Sequence, residues 1–343
     1  MIDLLIEEFE IISKKVDFNK FRNKTFLITG ASGLIGSYLI YFLDYISQKY
    51  NLNICIYALS RRGSELRNRF AGHKSICMII QDMNIPFKIN FSCDYIIHAA
   101  SNASPVAYAT DPVGTMKTNL FGTMNLLDFA CTQKAKFLYL SSGEIYGNNI
   151  DHHFTEDDFG SVDPKLSRSC YPESKRAAET LCISYHHQYG VYVDIARLCY
   201  VFGPTITNTN SRADAEFLRN AIKGQDIVLK SQGSQCRTWC YVADVVYALL
   251  IILLKEGKPD VYNVADESDI LSIAQYAEIL ARIAGVGIRF EHPNSLEKQG
   301  YSQSANSILS GKKIKKMGWK PLFSLEKGLE RTYQIKKAME VGD

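Results

Sequence analysis

The sequence predicts a doubly wound α/β protein, a parallel sheet covered by helices on both faces, with a smaller lobe built from C-terminal segments. Three observations predict it. A glycine-rich turn, Gly30-Ala31-Ser32-Gly33-Leu34-Ile35-Gly36, stands between a short apolar run and a helical pattern. Apolar strand-like runs then alternate with helical patterns to about residue 200, as βαβ units with a buried parallel sheet do. Beyond Gly203-Pro204 that rhythm stops.

The first twenty residues carry Leu4, Leu5, Phe9 and Ile12 at helical spacing and read as a helical arm docked on the body. Phe26–Thr29 is the first strand, and the helix opened by the glycine turn runs to about Gln48. Further strands are expected at Ile54–Leu59, Cys77–Ile80, Tyr95–His98, Phe137–Leu140 and Val193–Leu198, with helices between most of them. Residues 205–235 are polar with a helical patch at Ala215–Ile222. Val261–Val264 reads as one more strand, and helices are expected at Ile273–Ala284 and Leu325–Lys337. The predicted division is an arm at 1–22 and a cofactor domain at 23–200, to which segments near 240–266 return. Residues 201–239 and 267–343 would form a substrate-binding lobe.

Bulk properties narrow the function. The chain has 343 residues, enough for two packed domains, and a net charge of +3, too small to point to nucleic acid or an acidic membrane. Lys312, Lys313, Lys315 and Lys316 alternate with Ile314 and Met317 like the wet face of a helix. Nine cysteines include the neighbours Cys236 and Cys240 but no second pair at zinc-ligand spacing, so reduced, mostly buried thiols and no metal are expected. The acidic N-terminus is unlike a secretion signal, and the longest apolar run, Val245–Leu254, is short for a membrane span. A soluble cytoplasmic protein is expected.

The turn itself points to a dinucleotide. Gly30, Gly33 and Gly36 let the backbone approach a pyrophosphate, and the following helix N-terminus supplies N–H groups, from Ser32 through Leu34 and Ile35, with a positive dipole. This is the Rossmann arrangement with Gly-x-x-Gly-x-x-Gly spacing. At the end of the second strand, an acid would hold the ribose hydroxyls of NAD. Here Ser60 is followed by Arg61 and Arg62, two guanidiniums able to clamp a 2′-phosphate. NADP is favoured over NAD on that basis, with solvated surface arginines as the plainer reading.

Tyr171 and Lys175 stand four apart in Cys170-Tyr171-Pro172-Glu173-Ser174-Lys175, on one face of a helix whose first turn accommodates the proline. An ammonium beside the phenol would draw its pKa down toward neutrality, where it serves as acid or base. Ser141 and Ser142 end the Phe137–Leu140 strand, where α/β sites sit, and offer a hydroxyl to the same reacting oxygen.

At these residues the chain resembles the extended short-chain dehydrogenases/reductases that epimerise, dehydrate, decarboxylate or reduce nucleotide sugars, from about residue 24 onward. The resemblance runs through Gly30–Gly36, Asp82-Met83 on the adenine side, His98-Ala99-Ala100 with Ser101, and Asn119 in Lys117–Thr123. It continues through Ser141–Gly147, Tyr171/Lys175, Arg197 to Gly203-Pro204, Arg237 before Tyr241–Asp244, and Leu309 to Pro321. It implies that Asp82, Met83, Ala99, Ala100, Ser101 and Asn119 contact the cofactor together with Tyr171 and Lys175. Ser142, Tyr171 and Lys175 would oxidise or reduce the sugar, typically at C4. Ser104 would touch the substrate, Arg237 would bind its diphosphate with help from Arg212, and Tyr200 replaces an asparagine common among relatives.

Glu144 is the residue most informative about the reaction. Dehydratase and decarboxylase branches carry a glutamate here beside sugar C5 and C6. Dehydratases often precede it with an aspartate, where this chain has Gly143. The segments 169–179 and 233–241 are most similar to the UDP-glucuronate decarboxylase-like branch. Three readings follow: a converter working through C4 oxidation and a 4-keto intermediate; a net NADPH-dependent 4-ketoreductase; or a non-catalytic NADP(H)-binding module. The resemblance also implies a homodimer through helices near 114–131 and 171–188, the second carrying Ala177, Ala178 and Leu181.

Overall fold

The computed structural model describes residues 3–87, 91–147, 152–302 and 306–341. Its main sheet has seven parallel strands: β1 (Thr25–Thr29), β2 (Cys55–Ser60), β3 (Ile76–Ile80), β4 (Tyr95–His98), β5 (Lys136–Ser142), β6 (Val193–Leu198) and β7 (Val261–Val264). In space they run β7-β6-β5-β4-β1-β2-β3. The central strands are apolar because helices cover both faces. Phe26, Leu27 and Ile28 of β1 and Ile96 and Ile97 of β4 are fully buried.

The winding direction reverses between β1 and β4, which pair from Phe26 opposite Tyr95 to Thr29 opposite His98. Such a switch point opens a crevice beyond the carboxyl ends of the strands. His98 fastens it. Its Nδ1 lies 2.9 Å from the Thr29 hydroxyl and its Nε2 3.0 Å from that of Thr123. Burial, reinforced by the Lys175 charge, holds this imidazole well below its ordinary pKa, so it is a neutral structural bridge.

The apolar run Val245–Leu254 lies within helix Val242–Leu254, buried along most of its length between the glycine-turn helix and the sheet. The N-terminal helix Asp3–Ser13 buries Leu5, Phe9 and Ile12. Its Glu8, fully buried, accepts hydrogen bonds from Tyr38 at 2.6 Å, Tyr241 at 2.8 Å and Arg331 at 2.5 Å. The arm is thereby tied to the closing helix Leu325–Val341. Lysines 313 and 315 are not simply solvated. Lys313 pairs with Asp260 and Lys315 with Asp266 and Glu267, while Ile314 is buried.

A second sheet lies over the crevice. Strand Cys236–Tyr241 is its centre, antiparallel to Ile270–Ser272 and parallel to Asn306–Leu309 and Tyr200–Phe202. His153–Phe154 joins at Ile308–Leu309. Residues between β5 and β6 thus cross to the lobe sheet before the chain returns. A short pair, Ile227–Leu229 with Ile288–Phe290, completes the lobe.

Candidate active site

The crevice is a cleft of about 650 Å³. At one end, Gly30 has φ +64°, and a Cβ there would lie 2.7 Å from the Ala99 carbonyl oxygen, so β1 and β4 approach this closely only with glycine. A Cβ on Gly36 would lie 2.5 Å from the Gly30 oxygen. Helix Leu34–Lys49 starts at Gly33 with no side-chain cap, which leaves its first N–H groups for an anion. Ser32, Leu34 and Ile35 line the cleft, as do Ser60, Arg61, Arg62, Asp82, Met83, Ala99, Ala100 and Ser101.

The two arginines are already engaged. Arg61 Nη2 donates to Asn102 Oδ1, and Arg62 Nη1 donates to Glu65 at 3.2 Å and to Thr209 of the lobe at 3.4 Å. Asn119 stands behind the wall. It accepts from Ser101 at 2.8 Å and donates to Ser174 at 2.9 Å, thereby joining the cleft wall to the helix that carries Tyr171.

At the other end, β5 delivers Ser142, whose hydroxyl accepts the Glu144 N–H at 3.2 Å and opens the 3-10 turn Gly143–Tyr146. A Cβ on Gly143 would lie 2.6 Å from the Leu309 side chain, so the small residue lets the lobe strand pack on this turn. Helix Cys170–Tyr189 presents Tyr171. It is clamped to the sheet by Glu179, which pairs with Arg197 of β6 at 2.9 Å. Ser142, Glu144 and Tyr171 line the cleft together.

The electrostatics differ from the sequence expectation. Burial above all, and then the Glu144 charge, push the Tyr171 phenol up to about 12, although a hydrogen bond with Ser142 pulls the other way. Lys175 does not touch the cleft. Its Nζ donates to the Leu140 carbonyl at 2.7 Å, and burial lowers its pKa to about 7 despite the Glu179 charge. In the resting cleft desolvation dominates both groups.

The lobe supplies the third wall. Tyr200 and Arg212 line it, and Arg212 is held by Asp214 in a two-pronged pair at 2.9 Å, with a further bond to the Val201 carbonyl. Arg237 sits one layer back, buried under Tyr200, its guanidinium carbon 5.3 Å from the ring centre. Ser104 caps helix Pro105–Thr110 and lines the cleft.

Two residues absent from the sequence reading complete the site. Arg168 pairs with Glu144 at 2.8 Å and lies 4.2 Å from the ring centre of Tyr108. Tyr108 in turn packs 4.8 Å from the Tyr171 ring. The available signal was the place of Arg168 three residues before Tyr171, on the approach to the same helix.

Comparison with known proteins agrees with this geometry. The profile of the NAD dependent epimerase/dehydratase family matches residues 26–265. The chain is 31% identical over 308 residues to UDP-glucuronic acid decarboxylase 6 of Arabidopsis thaliana, covering 90% of this chain and 87% of that one. It is 32% identical over 318 residues to UDP-glucuronic acid decarboxylase 1 of Xenopus tropicalis, covering 92% and 73%. Among solved structures it resembles a UDP-glucose 4-epimerase of Thermotoga maritima, with TM-score 0.78, 22% identity, and 93% and 100% of the two chains covered.

Proposed function

The chain belongs to the NAD-dependent epimerase/dehydratase family of enzymes, and from that premise we propose that it oxidises a nucleotide-activated sugar at C4, alters it as the 4-keto intermediate, and reduces it again. The observation that carries this reading is the convergence of Ser142, Glu144 and Tyr171 on one cleft continuous with the glycine turn. The names of the relatives make a nucleoside-diphosphate hexuronate the first substrate to test.

The cleft fits a dinucleotide. The uncapped helix N-terminus is assigned to the pyrophosphate, Arg61, Arg62, Asp82 and Met83 to the adenosine end, and Ala99 to Ser101 to the nicotinamide side, all of these side chains lining the cleft. Ala99, Ala100 and Ser101 would hold the nicotinamide half of a bound dinucleotide, which would supply the hydride acceptor for oxidation at C4 and the donor for its reversal. Tyr171 Oη takes the C4 hydroxyl proton and gives it back, Ser142 holds the same oxygen, and Lys175 stabilises the phenolate form by its charge. For a hexuronate, the C4 ketone stands β to the carboxylate, so loss of carbon dioxide leaves electrons that the ketone accepts. A proton delivered to C5 then gives the 4-keto pentose, whose C4 is reduced last. Glu144 lies within the field of Tyr171 and is the group we assign to proton handling at that side of the ring. Arg237 and Arg212 are assigned to the substrate diphosphate.

Arg61 and Arg62 beside Ser60 favour acceptance of a 2′-phosphate, and with it the alternative of a net NADPH-dependent 4-ketoreductase. Glu65, paired with Arg62, works against that preference. We also propose a homodimer through helices Pro112–Gln133 and Cys170–Tyr189. Ala177 and Leu181 lie at the exposed groove there with Phe121 and Met124, whereas Ala178 is buried inward and takes no part.

The deciding experiment incubates the purified protein with UDP-glucuronate and NAD or NADP and follows products by mass. Conversion to a UDP-pentose or a UDP-hexuronate epimer, with catalytic cofactor, supports the proposal. Consumption of stoichiometric NADPH with a 4-keto nucleotide sugar supports the reductase. No reaction across a panel of nucleotide sugars overturns both.

A further inference from the structure

The rim of the cleft at the end of β2 carries two arginines whose bonds cross it. Arg61 follows β2 directly, and its Nη2 donates to Oδ1 of Asn102, a residue beyond the end of β4. In the sheet β1 lies between β2 and β4. The two residues are therefore joined across two strand spacings, roughly 10 Å, over the Gly30–Gly36 turn that follows β1. Arg62 makes a second bridge, its Nη1 donating at 3.4 Å to the hydroxyl of Thr209 in the lobe. All four residues line the cleft together with Gly30 and Gly33.

The receiving groups are fixed, whereas the arginines are long and exposed. The Asn102 carbonyl accepts the Ser104 N–H at 3.0 Å, and the Ser104 hydroxyl caps helix Pro105–Thr110. Thr209 stands in the turn Thr207–Asn210, closed by a backbone bond of 3.1 Å. Asn210 is held in turn by Arg219 at 2.7 Å and by the Arg212 N–H at 2.9 Å. The arginines are anchored at their root, where the Ser60 hydroxyl accepts the Arg62 N–H at 3.2 Å and lies 3.2 Å from the Ser32 hydroxyl of the glycine turn. The Arg62 side chain is 51% exposed.

Both acceptors are neutral. A neutral oxygen holds a guanidinium less firmly than an anion does, so the two bonds close the mouth of the cleft and still open readily. A phosphate on the adenosine ribose takes these guanidiniums only by drawing them off Asn102 and Thr209. A ribose hydroxyl leaves them where they are.

We propose that Arg61 and Arg62 form a gate across the dinucleotide cleft, latched on Asn102 and Thr209, that closes over NAD(H) and is unlatched by the 2′-phosphate of NADP(H). This rests on the reading of the cleft as the cofactor site. Asn102 and Thr209 act on cofactor choice through the arginines, as positioning residues. Loss of the latches favours the open cleft before binding, so both dinucleotides enter faster. Exit quickens only for NADH, in whose complex the latches are re-formed.

The test measures entry and exit rates of NADH and NADPH by stopped-flow fluorescence on the full chain, with Asn102→Ala, Thr209→Val and the two combined. In the combined variant both rates for NADH should rise about 5- to 20-fold, as loss of two exposed hydrogen bonds predicts, with the dissociation constant changed by less than about threefold. For NADPH, entry should rise by the same factor while exit changes by less than about twofold, so that its affinity gains about 5- to 20-fold. Thr209→Ser, which keeps the accepting hydroxyl, should retain the unaltered rates. Faster exit of NADH without faster entry marks Asn102 and Thr209 as ordinary contacts of the bound cofactor and overturns the gate. An NADPH affinity that does not rise also overturns it. Tight binding with rates insensitive to both substitutions overturns the gate alone and leaves the cofactor reading standing. If the unaltered chain binds neither dinucleotide, the cofactor reading falls and the gate falls with it.

Discussion

Lys175 donates a 2.7 Å hydrogen bond to the carbonyl of Leu140, two residues before Ser142 on the same strand. The bond pins the Tyr171 helix to the strand that delivers its partner hydroxyl, at the cost of burying an ammonium whose pKa falls to about 7. Between pH 7 and the ordinary lysine value of 10.5, the unfolded chain binds a proton that the folded chain does not. Stability owed to this group therefore rises with pH across that window and is lowest below it. Lys175→Met in the cofactor-free protein is expected to flatten this dependence. Its stability relative to the unaltered chain should fall by roughly 1–3 kcal/mol as pH rises from 7 to 10. Urea unfolding of both proteins at several pH values checks it, and parallel curves would show that Lys175 is not desolvated as described.

Tyr171 starts from the opposite side, its phenol pushed up to about 12. It is thus neutral in the resting cleft, the form that the proposed reduction step requires of its proton donor. Tyr171→Phe removes that proton and is expected to lower kcat by about 10²–10⁴-fold while leaving dinucleotide affinity within about threefold. Stopped-flow absorbance of the nicotinamide and a binding titration separate the two effects. A variant with more than a tenth of full turnover would remove Tyr171 from the chemistry.

How legible this was depended on how local each signal is. The strands of the main sheet are short apolar runs buried on both faces, and reading them from Phe26, Ile54 or Val193 placed each within a residue or two of its bounds. The lobe sheet left no such trace. Tyr200–Phe202 pairs with Trp239–Tyr241, and His153–Phe154 with Ile308–Leu309, so its strands are defined by distant partners and not by their own pattern. The same holds at the site. Gly30 and Gly36 are recognisable because a turn needs them within seven residues, whereas Arg168 meets Glu144 across 24 positions. The spacing to Lys175 predicts a lowered Tyr171 pKa where the structure raises it, because spacing shows proximity but not desolvation, which only packing reveals.

The Gly36 contact makes the cofactor turn testable apart from catalysis. A methyl group at this position meets the Gly30 carbonyl at 2.5 Å, against main chain that has no room to withdraw. Gly36→Ala is expected to weaken dinucleotide binding by at least about tenfold and to cost roughly 1–3 kcal/mol of stability. Titration with NAD and NADP, followed by thermal unfolding, reads both. Unchanged binding would show that the turn does not hold the pyrophosphate.

Glu8 and Arg331 join the first and last described helices in the interior, with both side chains at most 8% exposed. Removing one partner leaves a buried charge without its counter-ion. Arg331→Met is therefore expected to cost about 3–5 kcal/mol, and Glu8→Gln/Arg331→Met together should recover a large part of it. Chemical denaturation of the single and double variants measures the coupling, and additive losses would mean that the pair does not act as a unit.

The proposed dimer makes the remaining prediction. Phe121 is 46% exposed and Ile183 49% exposed, on adjoining helices that pack closely on each other and leave Met116 and Met124 exposed beside them. An apolar face of this kind is buried in a two-fold assembly, where each copy presents the same groove to its partner. Phe121, Leu181 and Ile183 are not among the residues that line the cleft, so a charge placed on the face acts on assembly first. Phe121→Asp with Leu181→Asp is expected to convert a dimer to a monomer by light scattering, with the dinucleotide affinity of the monomer changed by less than about threefold. A monomer already present in the unaltered protein at micromolar concentration would refute the dimer, and a dimer that survives both charges would place its interface elsewhere.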